Sequence, residues 1–279
     1  MMTEGHRHPS VPEKAHAKIT DAIGDFPYRL QLAGGWIDQP FVSQLNPSPM
    51  GSMVVVSLKP VCHLMDRAGM ATGSRKIALR LWRGRLPAGD PASLVEELYA
   101  EENRGKAEPS GTQDMIGLIY PGVSRLDYDA GFRGGVFPRH IESNNEPGIA
   151  RWLERVIHLL PVMPRPGGYN PLGVKNLEPA WIGRLGRSGR DCFNAILGKD
   201  IDGLGASLNE TMACWETLLP QTVRHPTIKM DLLGLLRYYQ AKYPGAMYSG
   251  CGGGYLTVVS ARAVPGSLRL KVRVAGSKS

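Results

Sequence analysis

Hydrophobic and polar positions alternate along the chain in blocks that change period several times. Tyr28 to Leu32 predicts a short strand running into Ala33-Gly34-Gly35. Met53 to Leu58 is an unbroken apolar run rich in β-branched residues, which predicts a buried strand. Ile77, Ala78, Leu81 and Trp82 fall on one helical face. Asp90-Pro91 predicts a helix start, with an Asp cap and Pro in the first turn, and that helix ends near Arg104-Gly105. A glycine-rich hinge follows at Gly131 to Gly135. Ile149, Trp152, Leu153, Val156, Ile157 and Leu160 recur at helical spacing and predict an amphipathic helix over 148–160. Pro161 to Pro171 is a loop with four prolines, and three helices are expected near 179–197, 201–218 and 227–242. Tyr255 to Ser260 predicts a strand. Leu268, Leu270, Val272 and Val274 alternate with Arg269, Lys271 and Arg273, which predicts a last strand with one basic face. That face suits a solvated edge guarded by cations, or contact with nucleic acid.

Composition narrows the class. The 279 residues include 34 glycines and 22 prolines, a fifth of the chain, against about 12% in an average protein. Hydrophobic residues at 42% suffice for a packed core, so a disordered or collagen-like chain is excluded. No apolar stretch approaches the roughly 18 residues of a membrane helix, and the polar start carries no apolar signal core, so a cytoplasmic protein without a membrane partner is expected. Cys62, Cys192, Cys214 and Cys251 stand far apart, which argues against a zinc site or a disulfide scaffold. His6, His8 and His16 lie in a lead-in, 1–24, that reads as a mobile solvated tail. The formal net charge of +8 suits a polyanionic partner, but Arg262, Arg269, Lys271, Arg273 and Lys278 supply five of those charges from the C-terminal end. No aromatic-basic platform accompanies them, so nucleic acid is a poor fit.

Four stretches combine glycine with polar residues beyond what a core needs. Arg29 to Pro40 (RLQLAGGWIDQP) ends a strand in two glycines and presents Asp38, as a β-turn or as a ligand-facing loop. Gly69-Met70-Ala71-Thr72-Gly73-Ser74-Arg75-Lys76 opens a helix; its amides, hydroxyls and cations form a phosphate cradle, or an ordinary cap. Gly111-Thr112-Gln113-Asp114 places a carboxylate at a helix start, as a cap or as a proton acceptor. Glu101 and Glu102 lie upstream on a helix, as solvated carboxylates or as magnesium ligands. Ser249 to Tyr255 holds four glycines in five positions, as a tight hairpin or as backbone pressed against a ligand.

In this order the four stretches resemble the GHMP kinase superfamily, closest to the fucokinase and heptose-kinase branch. LAGGWIDQP resembles that branch's AGG-x-x-D-x-P, and GTQD followed by YPGVSRLDYD resembles its G-x-Q-D-Q…Y-G-G segment. GAMYSGCGGGYLTVV resembles the glycine-rich third motif. The resemblance implies an α+β fold of two subdomains, 25–140 and 141–279, with the site in the cleft between them. It implies transfer of a phosphoryl group from ATP, with Mg²⁺, to a sugar or sugar phosphate. By that resemblance Asp114 is the catalytic base and Arg29 assists it. Asp38, with Gly34, Gly35, Trp36, Gln113, Gly252 and Gly253, binds substrate. Gly69, Ala71, Thr72, Gly73, Ser74, Arg75 and Lys76 hold the nucleotide, and Thr72, Ser74 and Glu102 or Glu101 hold the metal. The sequence departs from the pattern at Ala71, Gly73 and Met115. It also has only 28 residues, 41–68, between the first two motifs, where the resemblance leads one to expect a longer segment that helps enclose the adenine. A catalytically silent relative that binds a sugar or a partner protein is the competing expectation.

Overall fold

The computed structural model describes residues 24–46, 50–107 and 109–276. The lead-in expected over 1–24, with its three histidines, lies outside them except for Gly24. Two four-stranded antiparallel sheets organise the chain. The first has the order β1-β2-β3-β4: β1 (Tyr28–Gln31), β2 (Gly51–Leu58), β3 (Val123–Tyr128) and β4 (Pro138–Asn144). The second has the order β6-β7-β5-β8: β5 (Ile157–Met163), β6 (Gly245–Gly250), β7 (Gly253–Val259) and β8 (Leu268–Arg269). Short α1 (Pro40–Ser43), then α2 (Thr72–Leu81), α3 (Pro91–Glu102) and α4 (Gln113–Ile119) belong to the first half. The second half contributes α5 (Pro147–Val156), α6 (Pro179–Gly198), α7 (Ile201–Leu218) and α8 (Leu232–Lys242). The fold is α+β. None of the described helices is long and apolar enough to cross a membrane.

All eight residues of β2 are buried, because α6 covers it on one side while β1 and β3 flank it. That packing is close. A Cβ at Gly186 would lie 2.7 Å from the Gly51 Cα, and one at Gly189 would run into the Ser52 carbonyl. The Asp90 cap of α3 forms as the sequence predicts, its carboxylate accepting from the Ser93 amide at 2.9 Å.

Three expectations are corrected. The helix expected over 148–160 stops at Val156, and Ile157 to Met163 is β5 instead. Ile149, Trp152, Leu153 and Val156 already complete the helix's apolar face. The stretch Ile157-His158-Leu159-Leu160 fits either period, and pairing with β7 decides it (Leu159 opposite Thr257). The helix expected from 227 starts at Leu232, where the Asp231 carboxylate accepts from the Gly234 amide at 2.9 Å. Gly131 to Gly135 is the β3–β4 connection, with a short 3₁₀ turn, and both strands lie in the first sheet.

The last strand departs furthest from expectation. Only Leu268–Arg269 pairs with β5, and the chain then crosses to the first sheet. Val272 bridges Leu58, the Arg273 amide donates to the Ser57 carbonyl at 2.8 Å, and the Gly122 amide donates to the Arg273 carbonyl at 2.6 Å. The expected solvated basic face is therefore partly a clasp. Lys271 pairs with Glu154 at 2.9 Å. Arg273 inserts its guanidinium against α4, donating to the Leu118 and Ile119 carbonyls at 3.3 and 2.6 Å and to Ser57 Oγ at 3.0 Å. Those two carbonyls are among the last of α4, which have no partner inside the helix. Burial draws the Arg273 guanidinium down to about 10, so it stays charged at neutral pH. Replacing Arg273 with Ala is expected to cost about 2–3 kcal/mol of unfolding free energy. Urea denaturation checks this, and a loss under 0.5 kcal/mol contradicts the clasp.

Candidate active site

The site starts from one buried cation. Arg29 leaves β1 and lies across α4 at Gly117, where any Cβ would collide with its Cγ. It makes an ion pair with Asp114, in the first turn of α4, and donates from Nη1 to the Gly69 carbonyl at 3.2 Å. Burial lowers the Arg29 guanidinium to about 10; the Asp38 charge opposes the fall and the Arg165 charge adds to it. Arg29 thus joins a carboxylate to the phosphate-cradle loop. Asp114 keeps part of its surface open, at 30% exposure, and its Oδ2 accepts from Ser74 Oγ at 3.4 Å.

Asp38 sits behind this pair, fully buried. The turn that places it is tight: Gly34 has φ +83°, and a Cβ there would strike the Ser52 carbonyl. The Gly34 amide donates to Thr211 Oγ1 at 3.2 Å, and the Gly35 carbonyl accepts from Trp215 Nε1 at 3.1 Å. Trp36 is half-buried against Phe41. Gln113 Nε2 donates to Asp38 Oδ1 at 3.1 Å, while Oδ2 has no partner among the described residues. Burial pushes the Asp38 carboxyl up to about 6, against the pull of Arg29, its own backbone, Gln39 and Gln113. Asp38 does not line the cleft; its charge acts on Arg29, which does.

The second glycine stretch forms the cleft floor. Gly69 (φ +74°) abuts the Ser249–Tyr255 stretch so closely that a Cβ would lie 2.6 Å from the Gly250 Cα. Ser249 Oγ donates to the Ala68 carbonyl at 2.7 Å and locks the two loops together. Ala71, left-handed at φ 55°, precedes α2, whose first turn offers Thr72, Gly73 and Ser74. A cleft of about 420 Å³ opens here, lined by Gly69, Ala71, Thr72, Gly73, Ser74 and Lys76 beside Arg29, Asp114 and Glu102. Arg67 and Asp66 also line it, and the second half supplies Arg165, Tyr169 and Pro171.

Several expected residues stand elsewhere. Arg75 is turned from the cleft: its side chain donates to the Phe26 and Pro27 carbonyls at 3.0–3.2 Å and lies 4.1 Å over the Tyr28 ring. Position four of the helix points inward, toward the sheet, so this cation serves the core. Glu101 pairs with Arg104 outside the cleft, whereas Glu102 lines it. Gly252 and Gly253 pack on the Tyr169 ring and Met163, behind the lining. Lys76 lines the cleft but is paired with Asp66 at 2.7 Å. Arg67, Arg165, Tyr169 and Pro171 were not singled out in the sequence. They sit in irregular loops, where no period marks which side chain faces a cleft.

Among the described residues no cluster of three His, Cys, Asp or Glu exists. Glu102 Oε2 is buried without a partner, and Oε1 is 3.8 Å from Lys106. One carboxylate with two nearby hydroxyls, Thr72 and Ser74, fits Mg²⁺ that takes its other ligands from phosphates and water.

No protein-family model matches the chain, and no curated protein matches it. Solved structures do. A galactokinase from Lactococcus lactis, complexed with galactose, superimposes with a TM-score of 0.58 at 11% identity, over 89% of this chain and 90% of its own. A mevalonate kinase from Methanococcus jannaschii gives 0.54 at 9%, over 84% and 89%. A D-glycero-D-manno-heptose 1-phosphate kinase from Bacteriodes thetaiotaomicron gives 0.51 at 13%, over 90% and 96%. Almost the whole chain is thus accounted for by one architecture, and the chain has the GHMP-kinase fold.

Proposed function

We propose that this chain is a cytoplasmic sugar kinase, moving the γ-phosphoryl group of ATP to a hydroxyl of a fucose- or heptose-type sugar. The observation that carries the reading is the Asp114–Arg29 pair set directly against the Gly69–Ser74 loop in one cleft. The lining comes from both halves of the chain, which we read as subdomains 25–140 and 141–279.

Phosphoryl transfer needs positioning and charge neutralisation more than covalent help from the protein. The amides at the start of α2, with Thr72 and Ser74, hold the triphosphate, and Lys76 adds charge once it leaves Asp66. Glu102 with those hydroxyls holds Mg²⁺, which when bound neutralises developing phosphate charge. Asp114 Oδ2 orients the attacking hydroxyl and takes its proton. Arg29 fixes the carboxylate through Oδ1. Asp38, sealed behind the cleft wall, supports the site through its charge on Arg29. Gly34, Gly35 and Trp36 hold the turn that carries it, and Gln113 fixes its Oδ1. Gly252 acts from behind by seating Tyr169, and Gly253 by packing on Met163.

A second reading has an observation of its own. Arg75 is committed to the core, and the described part of 41–68 holds little beyond α1, β2 and loops. These two features favour a relative that binds a sugar or a partner protein without turning over ATP. Coupled ADP release across a sugar panel decides between them.

Asp114→Asn is expected to keep the fold and lose sugar-dependent ADP release by about 10²–10⁴-fold. Full activity with a native melting curve removes Asp114 as the base. Glu102→Gln should raise the Mg²⁺ concentration for half-maximal rate at least severalfold; an unchanged requirement removes it from the metal site. The Asp38 proposal has a pH signature. Its carboxyl sits at about 6, so the negative charge that faces Arg29 is lost as pH falls through that value. Sugar binding should therefore tighten as pH rises through about 6 and level off above 7, and Asp38→Asn should abolish that dependence. Calorimetry between pH 5 and 7.5 reads it, and equal slopes in both proteins would discard that role for Asp38.

A further inference from the structure

Four cations line the cleft, and two of them are answered by carboxylates: Arg29 by Asp114 and Lys76 by Asp66. Among the described residues Arg67 and Arg165 make no ion pair. Arg67 Nη2 donates to the Pro166 carbonyl at 2.6 Å, and Arg165 Nε donates to the Cys251 carbonyl at 2.6 Å. Each guanidinium is thus steered by a neutral acceptor through one nitrogen, and its other nitrogens have no described partner.

The two arginines are also fastened to each other through the backbone. The Arg165 amide donates to the Arg67 carbonyl at 3.0 Å, so the loop before α2 and the loop after β5 meet at these residues. Arg67 is held left-handed, at φ 56°, a conformation uncommon for a side chain of its kind, with its amide donating to Thr72 Oγ1 at 3.3 Å. Strained backbone of this sort clusters where a side chain has to be aimed. Arg165 lies near enough to Arg29 that their charges oppose each other. Like charges brought together in a partly closed cleft call for an anion between or beside them.

We infer that Arg67 and Arg165 form a two-arginine clamp for a phosphate group, set side by side where the loop before α2 meets the loop after β5. Planar guanidinium forks match phosphate oxygens in pairs, which lysine or an amide dipole does not do. The phosphate belongs either to a phosphorylated sugar acceptor or to the nucleotide. The inference deepens the kinase reading by giving a substrate-phosphate site, yet its test does not depend on turnover.

The test is equilibrium binding to the full chain, by calorimetry, of four probes: inorganic phosphate, a hexose 1-phosphate, the same hexose unphosphorylated, and Mg-ATP. Arg67→Gln, Arg165→Gln and the charge-keeping Arg165→Lys are compared with the unaltered chain, with melting curves as the control for folding. If the clamp takes the acceptor's phosphate, each Gln variant weakens hexose 1-phosphate roughly 10- to 100-fold. The unphosphorylated hexose and Mg-ATP then bind as before, and Arg165→Lys falls between. If it takes a nucleotide phosphate, Mg-ATP loses affinity by that factor while hexose 1-phosphate does not, and the clamp stands with the other source. Inorganic phosphate should weaken in either case. Unchanged affinity for all three anions in the Gln variants overturns the inference, as does a failure of the unaltered chain to bind any of them. A lowered melting point without lost affinity also overturns it, because the arginines then only tie the two loops. Phosphate binding without ADP release would remove the kinase reading and leave the clamp intact.

Discussion

The arrangement depends on one buried positive charge. Arg29 is nearly sealed from solvent, and a guanidinium in that position is tolerated only when carboxylates and carbonyls replace its water. The fold meets the demand from three directions. Asp114 comes from the first turn of α4, the Gly69 carbonyl from the loop before α2, and the Asp38 charge from the turn after β1. Remove any of these and the cation is left short of a partner. Arg29 therefore constrains where α4 and the cradle loop can sit, and Gly117 exists as the gap through which its side chain passes.

The same constraint explains why the clasp of the C-terminal segment matters so far from the cleft. Asp114 is fixed to α4, a helix of only seven residues. Such a helix has little stability of its own. Arg273 satisfies carbonyls at its far end, while Ser57 and Gly122 hold the backbone of the segment that delivers Arg273. The C-terminal segment, after pairing with β5 in the second sheet, thus steadies the helix that carries the carboxylate in the first. Tertiary support at one end of a short helix keeps the ion pair at the other end in register.

The legible parts of the sequence were those set by local rules. The β2 run, the Asp90-Pro91 cap and the helices starting at Pro179 and Ile201 follow from period and capping within a few residues. Arg29, Asp38, Gln113 and Asp114 were found because a known motif order marks them, and the structure brings all four together. The misplaced features depend on distant partners. Ile157 becomes a strand because β7 lies beside it. Arg75 turns inward because Phe26 and Tyr28 fill the space under α2. Arg273 reads as an exposed alternating residue until the neighbouring α4 carbonyls are in view. Arg67 and Arg165 carry no pattern at all, since irregular loops have no period to betray which side chain faces a cleft.

Glycine content is where the two levels of description meet. The Ser249–Tyr255 stretch reads in the sequence as a tight hairpin or as backbone pressed against a ligand, and in the structure it presses against other backbone. Gly250 lies on Gly69, and Gly254 on Ala68. The consequence for the site is indirect and strong. With no side chains between them, the two loops approach to contact, and the Ser249 hydroxyl fixes their register by accepting from the Tyr255 amide at 3.0 Å and donating to Ala68. A cradle built from amides has no side-chain length to absorb an error in position, so its accuracy rests on the rigidity of the surface behind it. The glycines supply that surface by close packing, and the first turn of α2 inherits its placement from them.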